Sequence, residues 1–141
     1  GTRYLWGGEN WRGIDCSGLP RRALREALWN RGWEQADGEL LRMAIGQWWF
    51  DASAKALSED YRGGTRSLGG KGTIRSLDLT ALEPGDLAIT AGGVHVMIYV
   101  GDERWIQAEP SIGRVVTLDG RSKMSDWFDV PVTTHRWRVL E

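Results

Sequence analysis

The apolar residues of this 141-residue chain change their spacing between its two halves, and that change restricts the possible fold more than any other feature. From residue 17 to about residue 33, Leu19, Ala23, Leu24, Ala27 and Leu28 recur every three or four positions, with Arg21, Arg22, Arg25 and Glu26 between them. That is the period of a helix with one apolar face. Pro20 fits its first turn, where no intrahelical partner awaits the missing N–H, and Gly32 offers a stop. A second helix is expected over residues 38–57. Leu40, Leu41, Ala44, Ile45, Trp48, Trp49, Ala52 and Ala56 occupy much of its circumference, so it should be well buried. After the turn chemistry of Leu82-Glu83-Pro84-Gly85-Asp86, short runs at 87–90, 94–100, 104–108, 115–118 and 135–140 read as strands. Helices first and a hairpin-linked antiparallel sheet afterwards make an α+β layout.

Two stretches fall outside these elements. The first 13 residues are rich in glycine and aromatics and read as extended chain, in which Tyr4, Trp6 and Trp11 serve either as cleft walls or as ordinary packing. Residues 61–75 (YRGGTRSLGGKGTIR) combine glycines with four basic side chains and are expected to form a mobile loop, a flap beside the substrate or a plain linker. They are not a nucleotide loop, because Gly72 breaks the Gly-Lys-Ser/Thr ending and no strand precedes them.

Composition excludes several classes. A single cysteine allows neither an internal disulfide nor a multi-thiolate metal site. His95 and His135 lie far apart in sequence with no carboxylates at ligand spacing, so no metal or other cofactor is expected. Eighteen basic residues against 19 acidic ones give a net charge of −1, and no overall field draws nucleic acid or membrane to the protein. No apolar run reaches the roughly 20 residues of a membrane span, and no charged-then-apolar leader opens this chain. Of the nine tryptophans, most are expected in the core and two or three along a groove.

The candidate chemistry centres on Cys16, which stands where the first helix begins. Asp15 or Ser17 can cap that helix, and its N–H groups and dipole favour a thiolate. A lone cysteine is more often an inert buried side chain, so a partner base is needed to read it as a nucleophile. His95, two residues after Gly92-Gly93 at a strand start, is the better candidate, whereas His135 reads as a solvated strand-edge histidine. If Gly101-Asp102-Glu103 forms a three-residue hairpin loop, Val100 pairs with Arg104. His95 then lies opposite Glu109 and diagonal to Gln107 on one face. A two-residue loop would send Gln107 to the other face. In the first register Gln107 can orient one imidazole nitrogen and leave the other for Cys16.

Tyr4-Leu5-Trp6-Gly7-Gly8, Gly13-Ile14-Asp15-Cys16-Ser17-Gly18-Leu19, Leu82-Glu83-Pro84-Gly85-Asp86-Leu87 and His95-Val96-Met97-Ile98-Tyr99-Val100-Gly101 follow one another in the order of the NlpC/P60 signatures. The chain resembles that family of peptidoglycan cysteine peptidases. The resemblance implies a papain-like α+β domain spanning residues 1–141, with a nucleophile helix and an extra helix packed on an antiparallel sheet. It implies hydrolysis of amide bonds in bacterial stem peptides, commonly between γ-linked D-glutamate and diaminopimelate or lysine. By position, Cys16 would be the nucleophile and His95 the base, with Gln107 where relatives usually carry a second histidine. Asp15 and Ser17 would line the site and hold the free amino end of the stem peptide, Tyr4 would lie near the oxyanion, and Trp6 would wall the cleft. The expected partners are muropeptides, the expected state is a monomer, and the expected location is secreted or periplasmic. Relatives carry a helix before the first motif, so the family's preceding helix and any wall-binding domain are expected upstream of this chain. An N-acetylmuramoyl-L-alanine amidase, an acyltransferase, an interbacterial toxin with the same chemistry and a weakly active wall-binding module are the competing readings.

Overall fold

A computed structural model describes all of Gly1–Glu141. A small hairpin of β1 (Glu9–Asn10) and β2 (Gly13–Ile14) leads into α1 (Gly18–Glu34), followed by α2 (Gly38–Trp49) and the short α3 (Ala54–Ser58). The rest is a six-stranded antiparallel sheet of β3 (Thr65–Gly72), β4 (Leu87–Thr90), β5 (Val96–Gly101), β6 (Arg104–Glu109), β7 (Arg114–Asp119) and β8 (Val132–Trp137). Its spatial order is β3-β8-β4-β5-β6-β7. This is the α+β layout expected from the change of period. No helix is long and apolar enough to cross a membrane.

Strand alternation sorts the core into two layers. Leu87, Ile89, Val96, Ile98 and Trp137 face the helices and pack with Leu24, Leu28, Ala44 and Leu57. Ala88, Met97, Tyr99, Trp105 and Val132 face the other way and are covered by Ile74 and Phe128 from the connecting segments. The central strands β4 and β5 are therefore buried on both faces, which explains their nearly unbroken apolar runs.

Several expectations need correction. Helix α1 ends at Glu34, within a residue of the expected end, but Gly32 is not its stop; it is the point where Leu41 of α2 packs against the helix. The predicted second helix is two helices. Arg21 of α1 donates to the carbonyls of Gln47 and Phe50, which a continuing helix would have bonded to its own next turn, and Phe50 is extended. Nor is α2 well buried: only Ala44 is, while Trp48 and Trp49 are 66% and 75% exposed. Six tryptophans (Trp6, Trp11, Trp29, Trp33, Trp48 and Trp49) are exposed, against the expectation that most would be core. The predicted mobile loop contains β3, an edge strand that pairs with β8 and bulges between Ser67 and Lys71, where Gly69 has φ +80°. Because β8 is thereby an interior strand, His135 is buried rather than solvated, with Nε2 2.8 Å from the Thr133 hydroxyl.

The hairpin between β5 and β6 combines both registers considered above. Its loop has two residues, Asp102 and Glu103, both at positive φ (52° and 59°), closed by Gly101 opposite Arg104. The register then shifts between Tyr99 and Gly101, so that Tyr99 pairs with Trp105 and Ile98 with Ile106. The bulge undoes the flip that a two-residue loop imposes, and the body of the ladder keeps His95 and Gln107 on one face.

Asp86 ends the turn before β4. It accepts two hydrogen bonds from Arg136 of β8, each 2.7 Å, and one from the Glu83 N–H, 2.8 Å. Asp86→Ala should lower stability in urea unfolding by about 3 kcal/mol, the lower edge of the range for a broken buried pair, because Glu83 stays 3.6 Å from Arg136. Burial holds the His135 imidazole below the usual histidine pKa. The unfolded chain then takes up the proton first, so stability is complete above about pH 6.5 and declines as pH falls through that value. Thermal melting should show this decline between pH 7.5 and 5, and His135→Gln should reduce its steepness.

Candidate functional site

The site grows from the entry into α1. Ser17 occupies the N-cap position, yet its hydroxyl caps nothing and instead donates to Asp15 Oδ1 at 3.1 Å. Asp15 does the capping: Oδ1 accepts from the Gly18 N–H at 2.7 Å, and Oδ2 from the Gly7 N–H at 2.8 Å. Gly7 has φ +72°, and a Cβ on Gly18 would stand 2.4 Å from the Gly8 carbonyl oxygen, so both positions need glycine. The Trp6-Gly7-Gly8 turn is thereby locked onto the helix start.

Cys16 is 7% exposed and opens into a cleft of about 460 Å³ whose lining includes Trp6, Asp15, Ser17, Arg21, Asp51 and Val94. Its thiol donates to the Val94 carbonyl at 3.6 Å, so Sγ rests against the backbone immediately before His95. No hydrogen bond joins thiol and imidazole in this state. Burial pushes the Cys16 thiol up to about 11, and the Asp15 charge adds to the rise. The N–H groups of Val96, Ser17 and Cys16 itself act in the opposite direction and are outweighed. The helix start therefore does not by itself produce a thiolate.

His95 is 1% exposed and stacks on Trp127, with ring centroids 4.4 Å apart and planes 14° from parallel. Its Nε2 lies 2.7 Å from Gln107 Oε1. Burial lowers its pKa, while the Gln107 bond and the Glu109 charge pull it back up. Tyr4 is half-buried and does not line the cleft. The N-terminal segment holds it there by pairing with β7, Tyr4 N–H donating to the Gly113 carbonyl at 2.8 Å. Burial raises its phenol pKa, as do the neighbouring Cys16, Asp15 and Glu109.

Trp6, Asp15, Cys16 and Ser17 thus share one cleft, whereas the bonded pair of His95 and Gln107 does not line it, His95 following directly on the lining residue Val94, and Tyr4 does not line it either. Three contributors had no signature in the sequence. Arg21 is 2% exposed and ties the cleft wall together, bonding Asp51 and lying 3.4 Å from Glu9. Trp127 and Ser125 reach His95 and Gln107 from a late connecting segment. Only Glu109 was visible beforehand, as the residue opposite His95 in the hairpin register. No group of three or more His, Cys, Asp or Glu side chains could hold a metal ion.

Residues 1–130 match the model of the NlpC/P60 family. Among solved structures, NlpC2 from Trichomonas vaginalis is similar with a TM-score of 0.55 and 18% identity, over 97% of this chain and 42% of that one. The present chain spans less than half the length of that relative, and the likeness concerns the fold. No curated protein sequence matches.

Asp15→Asn tests the electrostatics of the cleft. It removes a negative charge beside the sulfur and leaves an oxygen for the Gly18 N–H, so the pH midpoint of Cys16 alkylation should fall below about 11 and alkylation at pH 8 should accelerate. A midpoint that stays in place would show that Asp15 does not act on the thiol.

Proposed function

The chain belongs to the NlpC/P60 family, and we propose that it is a cysteine peptidase that hydrolyses amide bonds in peptidoglycan stem peptides. The observation that carries this reading is the placement of Cys16 at the head of α1, inside the cleft, with its sulfur against the carbonyl of Val94, the residue before His95. Burial holds the thiol pKa high and the imidazole pKa low, which favours a neutral resting pair. His95 then takes the Sγ proton as sulfur attacks the carbonyl carbon, and Gln107 holds the ring while the imidazolium exists. The Cys16 N–H at the helix start meets the oxyanion, with Tyr4 close by. His95 returns the proton to the departing amine, and water hydrolyses the thioester. Asp15 and Ser17 line the cleft beside Cys16, where the amino end of a stem peptide would lie. The favoured bond is the one between γ-D-glutamate and diaminopimelate or lysine, and such work belongs to the cell envelope.

A second reading, a wall-binding module of low activity, is favoured by one observation: a thiol with a pKa near 11 is scarcely ionised at neutral pH. Digestion of purified muropeptides with mass analysis of the products separates the two. The expected products are fragments cut after γ-D-glutamate; cuts before L-alanine would indicate an amidase. Cys16→Ala should lower the rate by about 10³-fold or more. Undiminished fragment release by that variant would rule out Cys16 as nucleophile.

A further inference from the structure

The Gln107 side chain is one link of a longer buried chain. Gln107 Nε2 donates to the Ser125 hydroxyl oxygen at 2.9 Å, and the Ser125 hydroxyl donates to Glu109 Oε2 at 2.7 Å. Glu109 Oε1 accepts from the Ser111 N–H at 3.2 Å and from the Ser111 hydroxyl at 2.9 Å. Glu109 is 2% exposed, Ser125 1% and Gln107 0%, and the hydrogen-bond partners of the carboxylate are serines, with no cation among them. A buried carboxylate without a cation costs stability, which raises the question of what it does here.

We propose that Glu109, acting through Ser125 and Gln107, is a positioning residue that decides which nitrogen of His95 carries the proton. The proposal rests on the reading of His95 as the base. It follows from counting donors. Glu109 receives three hydrogens and serves only as an acceptor, so the single hydroxyl hydrogen of Ser125 points to it. Ser125 must then accept from Gln107 Nε2, and this places Gln107 Oε1 toward His95. An oxygen 2.7 Å from Nε2 requires Nε2–H, which leaves the Nδ1 lone pair free to take a proton. One carboxylate sets the direction of three successive hydrogen bonds. Its charge also favours the imidazolium that forms during reaction.

Glu109→Gln tests direction at constant shape. The Ser111 N–H is a fixed donor, so the new amide must present its oxygen to Ser111 and its NH₂ to Ser125. Ser125 would then donate to Gln107 Oε1, Gln107 NH₂ would donate to His95 Nε2, and the proton would move to Nδ1. Two-bond ¹H–¹⁵N correlation spectra at pH 7.5 report this directly, with His135→Asn used to assign the two histidines. The expected result is a proton on Nε2 in the wild type and on Nδ1 in E109Q, and kcat on muropeptides lower by about 100-fold or more at similar KM. Ser125→Ala, which removes the relay without adding a donor, should populate both tautomers, and it decides the matter if E109Q does not fold. A wild-type proton on Nδ1, or an undisturbed Nε2–H in either variant, overturns the relay. These spectra need no substrate, so a wild type that cleaves no muropeptide fails the peptidase reading alone.

Discussion

The carboxylate of Asp15 holds the site together with two oxygens and three donors: the Gly7 N–H, the Ser17 hydroxyl and the Gly18 N–H. Through it the Trp6 turn, the start of α1 and Cys16 become one rigid unit, since Asp15 N–H also bonds the Gly8 carbonyl at 3.0 Å. The same placement puts a negative charge beside the sulfur. Position and reactivity therefore pull in opposite directions: the group that fixes Cys16 in the cleft also opposes its ionisation. A helix N-terminus is expected to favour a thiolate, but here burial and one neighbouring charge outweigh it.

That balance bears on the proposed chemistry. A preformed thiolate–imidazolium pair needs a low thiol pKa and a high imidazole pKa, and the structure moves both the other way. In the proposed reaction proton transfer would then accompany attack, which would make the tautomer of His95 matter more than it would in a charged pair. A neutral imidazole protonated on the wrong nitrogen cannot accept the thiol proton, whereas an imidazolium carries both hydrogens whichever way its partners point. Trp127 serves the same end by stacking on the ring and limiting its rotation.

Local periodicity made much of this fold readable. Helix α1 and the β4–β5–β6 meander follow from three- and four-residue spacing and from apolar runs between turns, and the family motifs fall on the helix start, the turn before β4 and strand β5. The misreadings share a cause, namely that a partner distant in sequence decided the outcome. A strand as glycine-rich as β3 has little intrinsic preference for the sheet and exists because β8 pairs with it, and that pairing in turn buries His135. Helix α2 carries apolar residues around most of its surface but packs chiefly on α1, so its tryptophans face outward. Arg21 reads as the polar face of an amphipathic helix, and only the carbonyls at the end of α2 make its burial possible. In the hairpin, loop length and register had to be settled together, because the bulge below the turn gives the two-residue loop the register of the three-residue one.

The relay proposed from Glu109 would explain how a glutamine can orient His95 in one direction only. An amide has both a donor end and an acceptor end, and its two orientations nearly coincide in shape, so by itself Gln107 would hold either tautomer of His95. A histidine at that position would face its own choice of tautomer, and a carboxylate would need none, being an acceptor only. The chain recovers the one-way character of a carboxylate by placing it two hydrogen bonds back, at Glu109, with Ser125 carrying the direction forward. Distance also weakens its Coulombic pull on the imidazole compared with direct contact. Burial therefore still prevails, and the His95 pKa stays below its usual value, which favours the neutral ring with a lone pair to offer.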